Sequence, residues 1–400
     1  MFNTTFSFMD FCMENFFFNT TSGIRFGVES FLENMNEIQK CIGKKVLFIT
    51  DKGIIDLGLA DGPIEALKRV LGKVIIFDSV EPDPSLLTLE RAISLGKEAG
   101  CSGVIGFGGG SSMDVAKLSA LILGSDENIN SVWGVNEAQG PRLPLVLVPT
   151  TAGTGSEVTP VSIITVGENE KRGVSSPLIL PDIAILDPAL TLGLPKHTTA
   201  ATGIDAMVHA IEAYSSVNKN NNGMSKMFAV EALKLLERSI ETAVSDGNNL
   251  VARSNMLRGS MLAGIAFANS PVAAVHALAY PIGGIFKIPH GLSNALILPY
   301  VLRFNETEKK AAVSYAELYD HLWPNQEKEN GIRLKSDQFI KKMINLSEKI
   351  GLEKRLRDVG IPLNSCKRMA QESMKQTRLL VNNPREITEK DALDIYQSAW

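Results

Sequence analysis

The sequence predicts an α/β N-terminal domain on a mostly parallel, Rossmann-like sheet, followed by an all-α C-terminal domain. Three observations carry this. From about residue 14 to 190, short β-branched runs alternate with helical stretches. Those runs are apolar almost without interruption, as expected of strands covered on both faces. After Pro195, strand signals vanish and the periodic segments all have helical spacing. At 400 residues the chain exceeds one simple core. It divides at 1–195 and 196–400, with residues 1–12 an extension ahead of the first strand.

In order, Lys45–Thr50 reads as a strand ending in Asp51-Lys52-Gly53, and Pro63–Leu71 as a helix. Lys73–Asp78 is the next strand, followed by the turn Glu81-Pro82-Asp83-Pro84. Leu86–Ala99 is an amphipathic helix with Leu87, Ala92, Leu95 and Ala99 inward. Gly103–Phe107 and Leu145–Pro149 are further strands. Residues 157–187 form a β-excursion that turns at Gly167-Glu168-Asn169-Glu170 and rejoins the sheet at Ile183–Asp187. Pro188 and Pro195 bracket a hinge-like segment. Beyond it, Thr198–Tyr214, Met224–Val244, Val251–Phe267, Ala273–Phe286, Leu292–Phe304, Lys309–Leu322, Ser336–Ile350, Leu352–Val359, Ser365–Leu379 and Thr388–Ala399 read as helices. The Asn-rich patch Asn218–Gly223 reads as a short solvated loop.

Composition narrows the function class. Hydrophobic content of 44%, charged content of 21% and a net charge of −4 are those of a soluble globular protein. No Lys/Arg cluster suits a nucleic-acid backbone. No window reaches the roughly 18 apolar residues of a membrane span, and the Phe-rich start lacks a basic n-region before Arg25. Cys12, Cys41, Cys101 and Cys366 are scattered with no CxxC, which points to reduced thiols and the cytoplasm.

Three loops follow predicted strands. Gly106-Phe107-Gly108-Gly109-Gly110-Ser111-Ser112-Met113-Asp114 joins a strand to a helix. Its glycines let backbone approach a pyrophosphate, and the free amides at the helix start form an anion site. Ser111 with Asp114 also fits a helix-start capping pattern. A tight βα turn that binds nothing has the same composition, and the spacing is not GxGxxG. Pro149-Thr150-Thr151-Ala152-Gly153-Thr154-Gly155 supplies small and hydroxyl side chains for a second phosphate or ribose wall, or is plain loop chemistry. Asp51 either bonds ribose hydroxyls and repels a 2′-phosphate, or simply caps a loop.

The remaining constellation is Asp205 and His209, four apart on one predicted helix, with His276 and His290 farther on. Side chains at i and i+4 share a helix face. One carboxylate and three imidazoles in Gly/Ala-rich settings suit a borderline divalent cation such as Fe²⁺ or Zn²⁺. The alternative for Asp205 and His209 alone is a helix face with a satisfied core histidine. His197 and His321 lie in polar contexts and are read as ordinary. No GxSxG or HExxH occurs.

From about Phe17 to Trp400 these residues resemble the iron-dependent (group III) alcohol dehydrogenases, which include lactaldehyde reductase. The resemblance rests on Gly108-Gly109-Gly110-Ser111 with Asp114 and Lys117, Pro149–Thr154, Gly203-Ile204-Asp205 with His209, Val275-His276 and Pro289-His290-Gly291. It implies the dehydroquinate synthase-like architecture, with a dinucleotide in the cleft and metal on the helical side. Position by position, it implies Asp205, His209, His276 and His290 as metal ligands, and Gly109, Gly110, Ser111, Asp114, Thr150, Thr151 and Thr154 as cofactor loops. It further implies Lys171 as a lysine that reaches the cofactor and Asp51 as the acid linked to NAD preference. Asp83 stands where relatives often carry Asn near the ribose. Tyr280 replaces a histidine usually placed near substrate, and is read as a proton relay or a pocket-shaping residue.

The expected activity is hydride transfer between a primary alcohol or aldehyde and NAD(H), a metal polarising the substrate oxygen, with Fe²⁺ named on resemblance and Zn²⁺ possible. Three alternatives stay open: a polyol or hydroxyacid dehydrogenase, a lyase or cyclase using NAD transiently on the same scaffold, and a non-catalytic NAD-binding protein. Few basic residues flank the motifs, which favours an uncharged substrate; Arg258 and Arg303 cannot be placed. The expected partners are a small alcohol or aldehyde and a second copy of the chain in a homodimer, with no nucleic acid and no membrane.

Overall fold

In the computed structural model, which describes residues 15–167, 170–325 and 331–400, the apolar runs assemble into a six-stranded sheet. Its strands are β1 (Gly23–Phe26), β2 (Lys45–Ile49), β3 (Lys73–Phe77), β4 (Gly103–Gly108), β6 (Leu145–Pro149) and β9 (Ile183–Leu186). The order is β1-β9-β6-β4-β2-β3 and every pairing is parallel. A second sheet, in the order β5-β8-β7, comprises β5 (Gly134–Val135), β7 (Val161–Val166) and β8 (Glu170–Ser175), the expected excursion. The extension over 1–12, with Cys12 and the turn residues Glu168 and Asn169, lies outside the described residues.

Both faces of the large sheet are covered, which is why its strands read as unbroken apolar runs. On one face Leu47, Val104 and Leu147 pack with Leu89, Ala92, Met113 and Ala116 of helices Leu86–Ala99 and Gly110–Ser125. On the other, Phe48, Phe107 and Val148 meet Ile38, Ile42, Ile64 and Leu67. Because β6, β4 and β2 are parallel neighbours, the loops at Thr150, Gly108 and Asp51 emerge side by side at their carboxyl ends. From Lys196 on the chain is helical, and the helices Lys196–Ser215, Gly223–Ser245 and Leu250–Asn269 form a tightly packed trio. Gly155, at φ 58°, joins the halves: a Cβ there would stand 2.6 Å from Gly264 Cα. Only glycine against glycine lets the Thr150 loop seat on the helix Leu250–Asn269.

Five sequence expectations change. Leu87 points outward at 62% exposure. The Ser85 hydroxyl caps Thr88 N, and Glu81 holds the Thr88 hydroxyl, so Thr88, Leu89, Ala92 and Gly96 face inward instead. Within Leu352–Val359 only Leu356–Val359 is helical, as a 3₁₀ turn after Gly351 at φ 82°. Ser365–Leu379 splits into Cys366–Ser373 and Thr377–Leu380 at an i→i+3 turn closed by Gln376 N on Ser373 O. The segment between Pro188 and Pro195 is anchored, with Thr191 buried and Leu194 O bonded by Arg253.

The fifth correction is the largest. The Asn-rich patch is not a solvated loop but a polar knot. Asn220 and Asn222 are buried. Asn221 Nδ2 lies within hydrogen-bond distance of Ala213 O, Tyr214 O, Ser216 O and Ser270 Oγ. Asn222 caps the helix that follows. Amide side chains satisfy backbone groups that the end of helix Lys196–Ser215 leaves unpaired. Asn221→Ala should therefore lower stability by about 1–3 kcal/mol, the cost of stranding partly buried acceptors. The urea midpoint should fall at unchanged m, and an unmoved midpoint would mean the patch is solvated after all.

Candidate metal and cofactor site

One turn of the helix Lys196–Ser215 presents Asp205 and His209, as the i, i+4 spacing predicts. His276 comes from the helix Ala274–Phe286, and His290 opens the helix His290–Asn305. One ligand atom from each of the four lies within 4.8 Å of every other. Small residues permit this approach, since a Cβ on Gly291 would meet Ala201 O at 2.5 Å. Asp205, His209 and His276 are buried, while His290 is half-buried and faces the cavity described below.

Hydrogen bonds fix which nitrogens are available. His209 Nδ1–H donates to Gly153 O at 3.3 Å, and His276 Nδ1–H donates to Glu212 Oε2 at 2.6 Å. Both rings therefore keep an Nε2 lone pair, and His276 Nε2 is buried with no partner among the described residues. Glu212 is itself held by Val275 N at 2.6 Å. Asn294 Nδ2 donates to Asp205 Oδ1 at 2.6 Å and stands 3.2 Å from His290 Nε2. Burial pushes His209 down to about 3 despite Asp205, and burial also lowers His290. Burial alone would raise Asp205, but the imidazoles beside it and Asn294 outweigh that and keep it below the usual carboxylate range. A buried carboxylate, neutral rings and an orphaned Nε2 aimed at one point fit a divalent cation.

A cavity of about 810 Å³ opens beside these ligands. His209, His276, His290 and Tyr280 line it together with Asp83, Gly110, Ser111, Asp114, Thr154 and Lys171. Of the remaining predicted residues, Gly109 is the N-cap of the helix Gly110–Ser125 and faces Thr151, whose side chain a Cβ would approach to 3.7 Å. Thr150 Oγ1 is buried with no partner among the described residues. Asp51 both caps and faces the loops: Oδ1 accepts from Ile54 N at 3.0 Å, and Oδ2 accepts from Ser112 Oγ at 3.4 Å. Lys171 pairs with Asp83 at 2.7 Å and donates to Thr165 Oγ1 at 3.0 Å.

The expected capping by Ser111 and Asp114 does not occur, and the helix starts without a side-chain cap. Asp114 instead accepts from Ser156 Oγ at 2.8 Å and Ile163 N at 2.9 Å. Lys117 Nζ, fully buried, donates to Ser156 Oγ and Val161 O, both at 2.7 Å. Together they tie the glycine-rich helix to the Thr150–Val161 loop. Sequence reasoning missed Glu212, Asn294, Phe267 and Arg378. Glu212 was detectable, being three residues past His209 on the same helix face. Phe267 stacks on His209 with centroids 4.5 Å apart, and Arg378 lines the cavity from far along the chain.

Two family descriptions match the chain: iron-containing alcohol dehydrogenase over residues 21–188, and the C-terminal part of the Fe-containing alcohol dehydrogenase family over 199–400. The protein belongs to the iron-containing alcohol dehydrogenases, oxidoreductases that act on alcohols. Among its relatives, a long-chain-alcohol dehydrogenase of Geobacillus thermodenitrificans is 38% identical over 91% of each chain. A 1,3-propanediol dehydrogenase of Klebsiella pneumoniae is 35% identical over 90% of this chain and 92% of its own. The solved alcohol dehydrogenase from Oenococcus oeni superposes with a TM-score of 0.92 at 33% identity, covering 96% of this chain and 100% of that one. A sulfoacetaldehyde reductase from Bifidobacterium kashiwanohense, solved with NAD⁺, gives 0.84 at 29% identity, covering 96% and 98%.

Burial lifts the Glu157 carboxyl to about 7 beside Lys117, whereas an unfolded glutamate releases its proton near about 4.3. The folded chain binds more protons across that window, so this group lowers stability as pH rises through it. Glu157→Gln should remove that slope. Urea unfolding should show the variant gaining on the parent between about pH 5 and 8; a pH-independent difference would mean Glu157 is ionised throughout.

Proposed function

We propose that this chain interconverts primary alcohols and aldehydes with NAD(H), its metal held by Asp205, His209, His276 and His290. The carrying observation is that four ligand atoms from three helices meet in a cavity that two small-residue loops of a parallel sheet also line. When bound, a divalent cation there supplies positive charge to the substrate oxygen, and a nicotinamide supplies the site that gives or takes hydride. We assign the protein to iron as its family does; the donor set accepts zinc as well.

The chain's own residues do the rest. Glu212 and the Gly153 carbonyl hold the His276 and His209 rings so that Nε2 points to the cation. Gly109, Gly110, Ser111, Thr150, Thr151 and Thr154 cradle the dinucleotide phosphates on free amides and hydroxyls. Asp114 holds those loops in register, Asp51 meets the adenosine ribose, and Lys171 with Asp83 bounds the cavity beside them. Phe267 packs over His209 and keeps water off the ligands. Tyr280 shapes the pocket, its ring 6.0 Å from that of His290; burial raises its phenol, so it stays protonated.

We divide the chain at 195/196 into a dinucleotide-binding domain and a metal and substrate domain, supported by the change from sheet to helix there. Among the described residues no single helix is long and apolar enough to cross a membrane. Cys41, Cys101 and Cys366 are free, which suits a reducing compartment, and we place the protein in the cytoplasm as a homodimer.

Protein reconstituted separately with Fe²⁺ and Zn²⁺ and given a panel of aldehydes should consume NADH stoichiometrically. Asp205→Ala and His276→Ala should lose bound metal, and kcat/KM should drop by about a hundredfold or more. Unchanged turnover would refute the metal assignment, and no net NADH change would point to transient use of the cofactor. Asp51→Asn keeps an oxygen for Ile54 N while removing the charge. It should narrow the NAD-over-NADP preference by about tenfold, and an unaltered ratio would leave Asp51 a capping residue only.

A further inference from the structure

The cavity carries a charge that neither metal nor dinucleotide accounts for. Arg378, on the short helix Thr377–Leu380, lines it from the side of the helical half. Its guanidinium lies over β8, so close to Gly173 that a Cβ there would stand 3.3 Å from Nη2. Its positive charge also acts on the Tyr280 hydroxyl, and the Tyr280 ring is the neighbour of His290. A path of two side chains therefore runs from the proposed metal to the guanidinium.

Of the other charges in the cavity, Lys171 is paired with Asp83, Asp114 is bonded by Ser156 and Ile163 N and lies 3.9 Å from Lys117, and Lys219 stands exposed on the Asn-rich segment. Among the described residues no carboxylate lies within ion-pair distance of Arg378. The cavity lining is mostly apolar, Phe267, Val272 and Leu379 included. A planar fork of donors on the wall of a mostly apolar cavity matches a carboxylate carried at the far end of a short chain.

The reading that favoured uncharged substrates rested on motifs near in sequence, and Arg378 was outside it. Arg258 packs on the Phe26 ring and Arg303 pairs with Glu306 and Asp337, so neither reaches the cavity.

We propose that Arg378, braced by Tyr280 and Gly173, selects alcohols and aldehydes whose distal end is a carboxylate, making the enzyme a dehydrogenase of ω-hydroxyacids in preference to plain alkanols. This rests on the metal-dependent dehydrogenase reading above. Arg378 takes no part in hydride transfer and acts only as a specificity residue.

The test pairs 4-hydroxybutyrate with 1-butanol, which differ at the distal end. On the metal-reconstituted enzyme with NAD⁺, Arg378→Ala should lower the kcat/KM ratio of acid over alkanol by about tenfold or more, mainly through KM. Arg378→Lys should restore part of it, which a merely structural role would not. Titration calorimetry of 4-hydroxybutyrate into the protein as purified needs no turnover: the parent should bind, and Arg378→Ala should bind about tenfold more weakly. A parent that does not bind the acid, or an unchanged ratio in Arg378→Ala, overturns the proposal. Acid binding that depends on Arg378 without turnover of either compound would sustain this subsite and count against the dehydrogenase reading alone.

Discussion

A carboxylate at 2% exposure cannot hold its charge in a protein interior without compensation, and Asp205 is such a group. Among the described residues it accepts a hydrogen bond from Asn294, and burial keeps the neighbouring His209 and His290 rings neutral. The arrangement becomes reasonable once a cation sits among the four ligands. The surrounding features serve that point. Glycine on the His290 helix lets it close on Ala201, Glu212 turns the His276 ring, and Gly153 O turns the His209 ring.

That last bond also couples the two halves of the molecule. Gly153 belongs to the loop after β6, so a strand on the side of the proposed dinucleotide loops also orients one of the four candidate metal ligands. Gly155 against Gly264 presses the same loop onto the helical half, and Asp114 with Lys117 presses it onto the glycine-rich helix. The spacing between the proposed cofactor loops and the four candidate ligands is thus set by close backbone contacts and buried polar bonds, which give little. Orientation on this scale is what a hydride transfer requires.

Much of this was legible in the sequence because it depends on local chemistry. Parallel strands announced themselves as apolar runs, and Asp205 with His209 needed only the helical period. His276 and His290 could be grouped with them by their settings, though nothing local showed that they converge; that follows from the crossing of three helices. What stayed hidden was set by distant partners. Leu87 faces out because Glu81 claims Thr88, and the Asn-rich patch is buried because its amides find carbonyls left open by another helix. Arg378 reaches the cavity across β8 from over two hundred residues beyond Gly173 in chain order, a placement no spacing rule contains. Asp114 does not make the capping contact expected of it, since its oxygens accept from Ser156 and Ile163 N instead of its own helix start.

Phe17 and Asn19 line the cavity, and their backbones are stapled by the amide side chains of Asn220 and Asn269, 203 and 250 residues away. Contacts that far apart in sequence are among the slowest to form. On a ribosome the Asn19 staple cannot close until Asn269 has emerged, so this flank of the cavity is sealed late. The cavity itself is complete only later still, because His276, His290 and Arg378 follow Asn269 in the chain.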